Sequence, residues 1–219
     1  QSTSSAASDV YKRRKQTTIQ SAEQDIPHTG HNADKITKQT NILKGNFDFP
    51  GSIFRDAKPL NIDMQPWGGT YAPSSRAWLL KDNSNFYLMM SSLEQESCIR
   101  SVQKGLSNDV YRDSCLEFFF KPLLSRDEYI NFEFNPSGAV HIAVGIGREN
   151  RHALSDTDIS CLNIWPFSCS LPGEALRWSI CAVIPFSFIA SLLGADSYSP
   201  PELHPGNFYK CGEATPVPH

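Results

Sequence analysis

The sequence predicts an all-β domain: an antiparallel β-sandwich with one short helix and a disordered N-terminal tail. Three observations predict it. Apolar and polar residues alternate over short runs such as Leu116-Glu117-Phe118 and Ile130-Asn131-Phe132-Glu133-Phe134, the period of a half-buried strand. Fifteen prolines and thirteen glycines, together with clusters of Asn, Asp and Ser, break those runs as turns do. Composition also changes sharply near residue 41. Residues 1–40 hold no Leu, Phe, Trp or Met, whereas all four Trp and all thirteen Phe lie beyond them. A stretch so poor in apolar side chains cannot bury enough surface to offset its ordering entropy. Residues 1–40 are therefore read as a tail and residues 41–219 as one domain.

Strands are expected at Leu60–Met64, Arg76–Lys81, Asn85–Ser91, Cys115–Lys121, Tyr129–Asn135, Ala139–Val144, Asp158–Ile164, Leu176–Ile184 and Asn207–Cys211. Asp82-Asn83-Ser84-Asn85 reads as a turn between two of them, since short polar side chains tolerate left-handed backbone. Asn135-Pro136-Ser137-Gly138 reads as a second. The one helix begins at Pro185, carries Phe186, Ile189, Leu192 and Leu193 on one stripe, and stops at Gly194. Trp78 and Trp178 fall mid-strand and are expected in the core.

Charge excludes one class of partner. Twenty Lys and Arg against 23 Asp and Glu give a net charge of −3, without the dense cationic surface that displaces counterions from nucleic acid. The cluster Lys12-Arg13-Arg14-Lys15 sits in the tail and is read as solvated; His28 and His31, in the same tail, have metal-ligand spacing without further ligands. No apolar run reaches about 18 residues, so no membrane insertion is expected. Residues 1–40 contain no signal-peptide-like apolar stretch. None of the six cysteines is spaced CxxC, which removes zinc-ribbon and thioredoxin-like readings; their even number leaves disulfides open. Cys115 and Cys181 read as small core residues.

Strand parity gives the first functional clue. Ile130, Phe132 and Phe134 share one face of their run, and Tyr129, Asn131 and Glu133 the other. Leu116, Phe118 and Phe120 oppose Cys115, Glu117 and Phe119 in the same way. If the two strands pair, Glu117, Tyr129, Asn131 and Glu133 stand together outside an apolar interior. Carboxylates, an amide and a phenol suit a hydroxyl-rich ligand. The same alternation also describes a solvated sheet face, and parity alone leaves both readings open.

Several blocks then carry a resemblance. Asp113-Ser114-Cys115-Leu116-Glu117-Phe118-Phe119 resembles the D-S-x-x-E-F-F strand of the family-9 carbohydrate-binding modules and their bacterial family-9-like relatives. Tyr129-Ile130-Asn131-Phe132-Glu133-Phe134-Asn135 is similar to their Y-x-N-F-E-F-N strand. Pro66-Trp67-Gly68-Gly69, after the opening turn Gly45-Asn46-Phe47-Asp48, is similar too, as are Gly145-Ile146-Gly147-Arg148 and the late Asn207-Phe208-Tyr209-Lys210-Cys211-Gly212-Glu213. The resemblance spans about residues 41–219. It implies a jelly-roll-like sandwich that binds a mono- or oligosaccharide without cleaving it, the sugar clamped by aromatic rings and hydrogen-bonded by charged and amide groups.

Carried over position by position, Tyr111 takes the place of the first clamp ring and Glu117 matches the strand glutamate. Glu133 lies near a position where the founding modules carry a basic residue. Trp165, before Pro166, is the candidate for the second ring, with Trp67 as its rival. Some founding modules hold structural calcium, for which Asp48, Asp56, Asp156 and Asp158 offer loop oxygens. The resemblance also implies an extracellular or periplasmic setting and a link to polysaccharide degradation.

Two other classes compete. A glycoside hydrolase would use Glu117 and Glu133 as its paired carboxylates. Neighbouring strands would set that pair close together on a flat face, and neither G-x-S-x-G nor HExxH is present. His141 and His152 have no evident partner in the sequence and are read as structural or surface residues. A protein-interaction sandwich would expose Leu162, Ile164, Trp165, Phe167 and Leu171 as one apolar patch.

Overall fold

A computed structural model describes the backbone of residues 17–20 and 22–23, and residues 53–64 and 70–219. Trp67, Asp48, the turn at residues 45–48, the basic cluster and the two tail histidines lie outside the described residues. The strands are β1 (Thr17–Gln20), β2 (Ala22–Glu23), β3 (Leu60–Ile62), β4 (Ser74–Lys81), β5 (Asn85–Gln95), β6 (Cys115–Phe120), β7 (Tyr129–Phe134), β8 (Val140–Ile146), β9 (Asn150–Ala153), β10 (Asn163–Leu171), β11 (Ala175–Pro185) and β12 (Leu203–Cys211). Among the described residues two short α-helices join them, α1 (Asp156–Ile159) and α2 (Phe186–Leu193).

The strands form two sheets, the layers of the jelly-roll-like sandwich that the sequence predicts. The first runs β1-β12-β6-β7-β8-β9 and the second β10-β11-β5-β4-β2, with β3 also on β4. Every pairing is antiparallel except that of β2 with β4. Two short segments of the stretch read as a tail thus lie as strands, one beside β12 and one beside β4.

Alternation builds the core. Leu116, Phe118, Phe120, Ile130, Phe132, Phe134, Ile142 and Phe208 of the first sheet meet Phe86, Leu88, Met90, Trp178 and Ile180 of the second. The Phe118 ring stacks on Phe208 at 4.9 Å and on Phe120 at 5.2 Å, within the favoured range for aromatic pairs. Pro185 caps the start of α2 and Gly194 ends it in left-handed backbone at φ 63°, which glycine adopts without steric cost. Phe186, Phe188, Ile189 and Leu193 are the large apolar side chains of α2 that are buried.

Two expectations need correction. The strand expected at Asp158–Ile164 is replaced at its start by α1, and β10 begins only at Asn163. Ser155 closes a capping box with Asp158, whose carboxylate accepts from the Ser155 amide at 2.8 Å and its hydroxyl at 2.7 Å. β10 then runs through Pro166 to Leu171, which an edge strand tolerates. The short, polar β9 was not expected, because nothing in Asn-Arg-His-Ala alternates.

Candidate functional site

The motif blocks divide into a buried scaffold and an outward face. Asp113 is fully buried, and its Oδ2 accepts from the amides of Val102 and Gln103 and from Asn135 Nδ2, each at 2.8 Å. Arg100 pairs with its Oδ1 at 3.1 Å. Asn135 Oδ1 in turn takes the Ser137 and Ala139 amides, shaping the β7–β8 turn. Ser114 Oγ donates to Glu94 Oε2 at 3.2 Å across the sandwich. Asp113, Ser114 and Asn135 therefore lock the loop after β5 to the β6–β7 ladder. The next outward positions are left to Glu117, Asn131 and Glu133.

The ladder aligns those residues in rows. Tyr209, Glu117, Glu133 and His141 are successive partners across β12, β6, β7 and β8. Asn207, Phe119, Asn131 and Ala143 form the next row. All of these side chains point away from the sandwich interior, as parity requires. Yet the face is not a solvated sheet surface: Asn131 is 1% exposed, Glu133 5% and His141 9%. The 3₁₀ turn Val110–Arg112 packs over β6 and β7, and it carries Tyr111.

Positive charge comes from the far edge. Arg151 on β9 lies over the Tyr129 ring, its Cζ 5.6 Å from the centroid. Tyr129, Gly145 and Arg151 are register partners across three strands. A Cβ at Gly145 would stand 2.1 Å from the Asn150 carbonyl oxygen, so glycine there lets β9 close onto β8 and bring Arg151 inward. Arg148 in the β8–β9 turn acts on Glu117.

The electrostatics follow from this crowding. Burial pushes the Glu133 carboxyl well above the usual carboxylate range, and the neighbouring Glu117 charge adds to the shift. Arg151, Asn131 and the backbone amide of Tyr111 pull the other way. Burial also raises Glu117, opposed by the Cys211 thiol, Arg151 and Arg148. The pair thus resists carrying two full charges. Burial, with Arg151 nearby, depresses His141 and keeps its ring neutral near pH 7.

Asn131 Nδ2 donates to Glu133 Oε1 at 2.8 Å. Beyond that bond, Asn131 Oδ1, Glu133 Oε2, His141 Nδ1 and Arg151 Nε are buried without a hydrogen-bond partner among the described residues. Four such atoms on one face are unusual, since buried polar groups are nearly always paired.

Four residues singled out in the sequence, Tyr111, Glu117, Asn131 and Glu133, are thus brought together. Trp165 is not among them. It stands on the outer face of the second sheet, opposite Cys181, in a cluster with Phe54, Leu80, Trp78 and Phe167. The proposed apolar patch is likewise divided, because Leu162 and Ile164 pack on the main core while Trp165 and Phe167 face the other way. Trp178 is fully buried; Trp78 is partly buried in the second-sheet cluster. Sequence reasoning passed over His141 and Arg151 as site residues. Of the loop carboxylates considered for calcium, Asp158 accepts from the amide and hydroxyl of Ser155 at the cap of α1.

Two cysteines border the carboxylates. Cys115 and Cys211 are register partners, and the Cys211 thiol donates to Glu117 Oε1 at 3.0 Å. Burial pushes the Cys115 thiol up to about 11.

Residues 57–219 match the profile of carbohydrate-binding family 9. A candidate carbohydrate-binding protein from Bacteroides uniformis is similar in structure over 77% of this chain and 78% of its own, with 26% identity and a TM-score of 0.66. A family 9 module from Caldicellulosiruptor kristjanssonii in complex with glucose covers 67% of this chain and 64% of its own at 14% identity and a TM-score of 0.41. A module from the same organism in complex with cellotriose covers 61% and 58% at 12% identity and a TM-score of 0.40. No curated protein matches the chain. The profile takes in the motif strands, the buried scaffold behind them and the outward row they carry, and on that match the chain belongs to carbohydrate-binding family 9.

Proposed function

We propose that the outer face of the first sheet binds a mono- or oligosaccharide without cleaving it. Tyr111 supplies a stacking surface for the apolar face of a pyranose ring. Glu117, Asn131 and Glu133 accept and donate hydrogen bonds to equatorial hydroxyls, and Arg148, Arg151 and His141 complete the set. The observation that carries this reading is the gathering of Glu117, Asn131, Glu133, His141 and Arg151 on one outward face of the first sheet, with Tyr111 packed over it. A polyol can satisfy acceptors and donors alike, whereas a simple anion or cation would satisfy only one kind.

Cleavage is disfavoured by direction. Glu117 and Glu133 project side by side from paired positions of adjacent strands. A glycosidase needs its two carboxyl groups on either side of the scissile bond, about 5 Å or more apart.

The test is a titration with a panel of neutral, amino and acidic saccharides followed by NMR. Shifts confined to Tyr111, Glu117, Asn131, Glu133, His141 and Arg151, with no release of product, are expected. Shifts centred on Trp165, or none with any saccharide of the panel, would remove the proposal.

A further inference from the structure

We propose that Cys115, Glu117 and Cys211 form a binding site for one thiophilic divalent cation of the zinc type. Cys115 and Glu117 are two apart on β6 and so share its outward face, and Cys211 stands directly across the ladder on β12. The two Sγ atoms and a carboxylate oxygen lie within 4.8 Å of one another. Cys211 Sγ and Glu117 Oε1 already approach to 3.0 Å. Zinc takes sulfur at about 2.3 Å and carboxylate oxygen at about 2.0–2.2 Å, so tetrahedral ligand atoms sit roughly 3.5–3.8 Å apart. The Cys211–Glu117 separation is shorter than that spacing, and the bound on the other pairs admits it. Small side-chain rotations close the difference while the ladder hydrogen bonds stay in place.

The donor set chooses the metal. Two thiolates with one carboxylate favour zinc over calcium or magnesium, which take oxygen shells. Cys115 is buried at the base, while Cys211 and Glu117 are partly exposed. The remaining four cysteines do not join the group: Cys98 lies in the 3₁₀ turn Glu96–Cys98 after β5, Cys181 is buried on the second sheet, and Cys161 and Cys169 are exposed beside and on β10. The site borrows Glu117 from the saccharide face, but metal uptake needs no saccharide, so either idea can fail while the other stands.

The test uses the full chain, reduced and desalted, with cobalt(II) alone as a spectroscopic probe and zinc as competitor. Uptake of one equivalent is expected, with a thiolate-to-cobalt charge-transfer band that zinc bleaches. Cys115→Ser and Cys211→Ser should each abolish the band, and Glu117→Gln should weaken binding while keeping a sulfur signature. Metal analysis of the wild type after dialysis gives a second readout that does not depend on any variant folding. No retained metal in the reduced wild type would overturn the proposal. So would a band that survives both serine substitutions. A Cys115–Cys211 disulfide found by peptide mapping, in a protein that takes up no metal after reduction, would assign the pair to a covalent staple instead.

Discussion

At the scale of single residues, the candidate site is governed by burial. Arg151 faces Tyr129 and sits close to both carboxylates, so removing it takes a charged donor from the face without touching the core. A charge-assisted hydrogen bond is worth about 1.5–3 kcal/mol, and Arg151→Ala should therefore weaken saccharide binding roughly 10- to 100-fold. Calorimetry on the best ligand of the panel checks this, and unchanged affinity would take Arg151 out of the site. Glu133 gives a separate prediction, read in stability. Its folded pKa lies above the ordinary value of 4.5, so the stability it contributes is complete below about 4.5. That contribution is lost as pH rises through the folded value. Glu133→Gln removes the titration, so the variant should gain on the wild type as pH rises from 4 towards 8. Thermal melts across that range test the sign; a constant difference between the two proteins would contradict it.

At the scale of elements, legibility depended on whether a strand alternates. β6 and β7 announce themselves because large apolar side chains, four of them phenylalanines, fill every inward position, and the same parity sets Glu117, Asn131 and Glu133 side by side. His141 was legible by the same count, since Val140, Ile142 and Val144 point inward around it. It was passed over because a lone histidine carries no signal until its register with Glu133 is known. Arg151 could not be read at all, because β9 is polar throughout and owes its place to a neighbour. That neighbour is Gly145, where a side chain would strike the Asn150 carbonyl. Trp165 stands apart for another reason: its ring suits a sugar clamp, but β10 belongs to the other sheet. Gly145→Ala should separate β9 from β8, at a cost of about 1–3 kcal/mol. It should also lower saccharide affinity although Arg151 is still present. Faster amide exchange in residues 150–153 together with weaker binding is the expected pattern, and loss of neither would show that β9 is held some other way.

At the scale of the whole molecule, the two sheets are joined by more than apolar packing. Lys210 enters the sandwich from β12 and meets Glu94 of β5 at 3.3 Å, with their side chains only 5% and 0% exposed. Trp178 of β11 donates its Nε1 to the same Glu94 at 2.6 Å, and Ser114 holds the other carboxylate oxygen. Lys210 also donates to the Cys211 carbonyl at 3.0 Å and approaches His219 Nε2 at 2.6 Å. The late N-F-Y-K-C-G-E block is thus divided by parity. Phe208 and Lys210 serve the interior, and Tyr209 and Cys211 serve the outer face. Replacing Lys210 with methionine keeps the stem but strands a buried carboxylate. Breaking a buried pair in this way costs about 3–5 kcal/mol, against a whole-domain stability of about 5–15 kcal/mol. Phe118→Ala, an emptied core position, should cost a similar amount by a different route, the cavity it leaves. The two are told apart by compensation. Adding Glu94→Gln to Lys210→Met removes the uncompensated charge and should restore part of the loss, whereas adding it to Phe118→Ala should not. Urea denaturation of the four proteins measures this. If Glu94→Gln fails to rescue Lys210→Met, the pair contributes only by filling space.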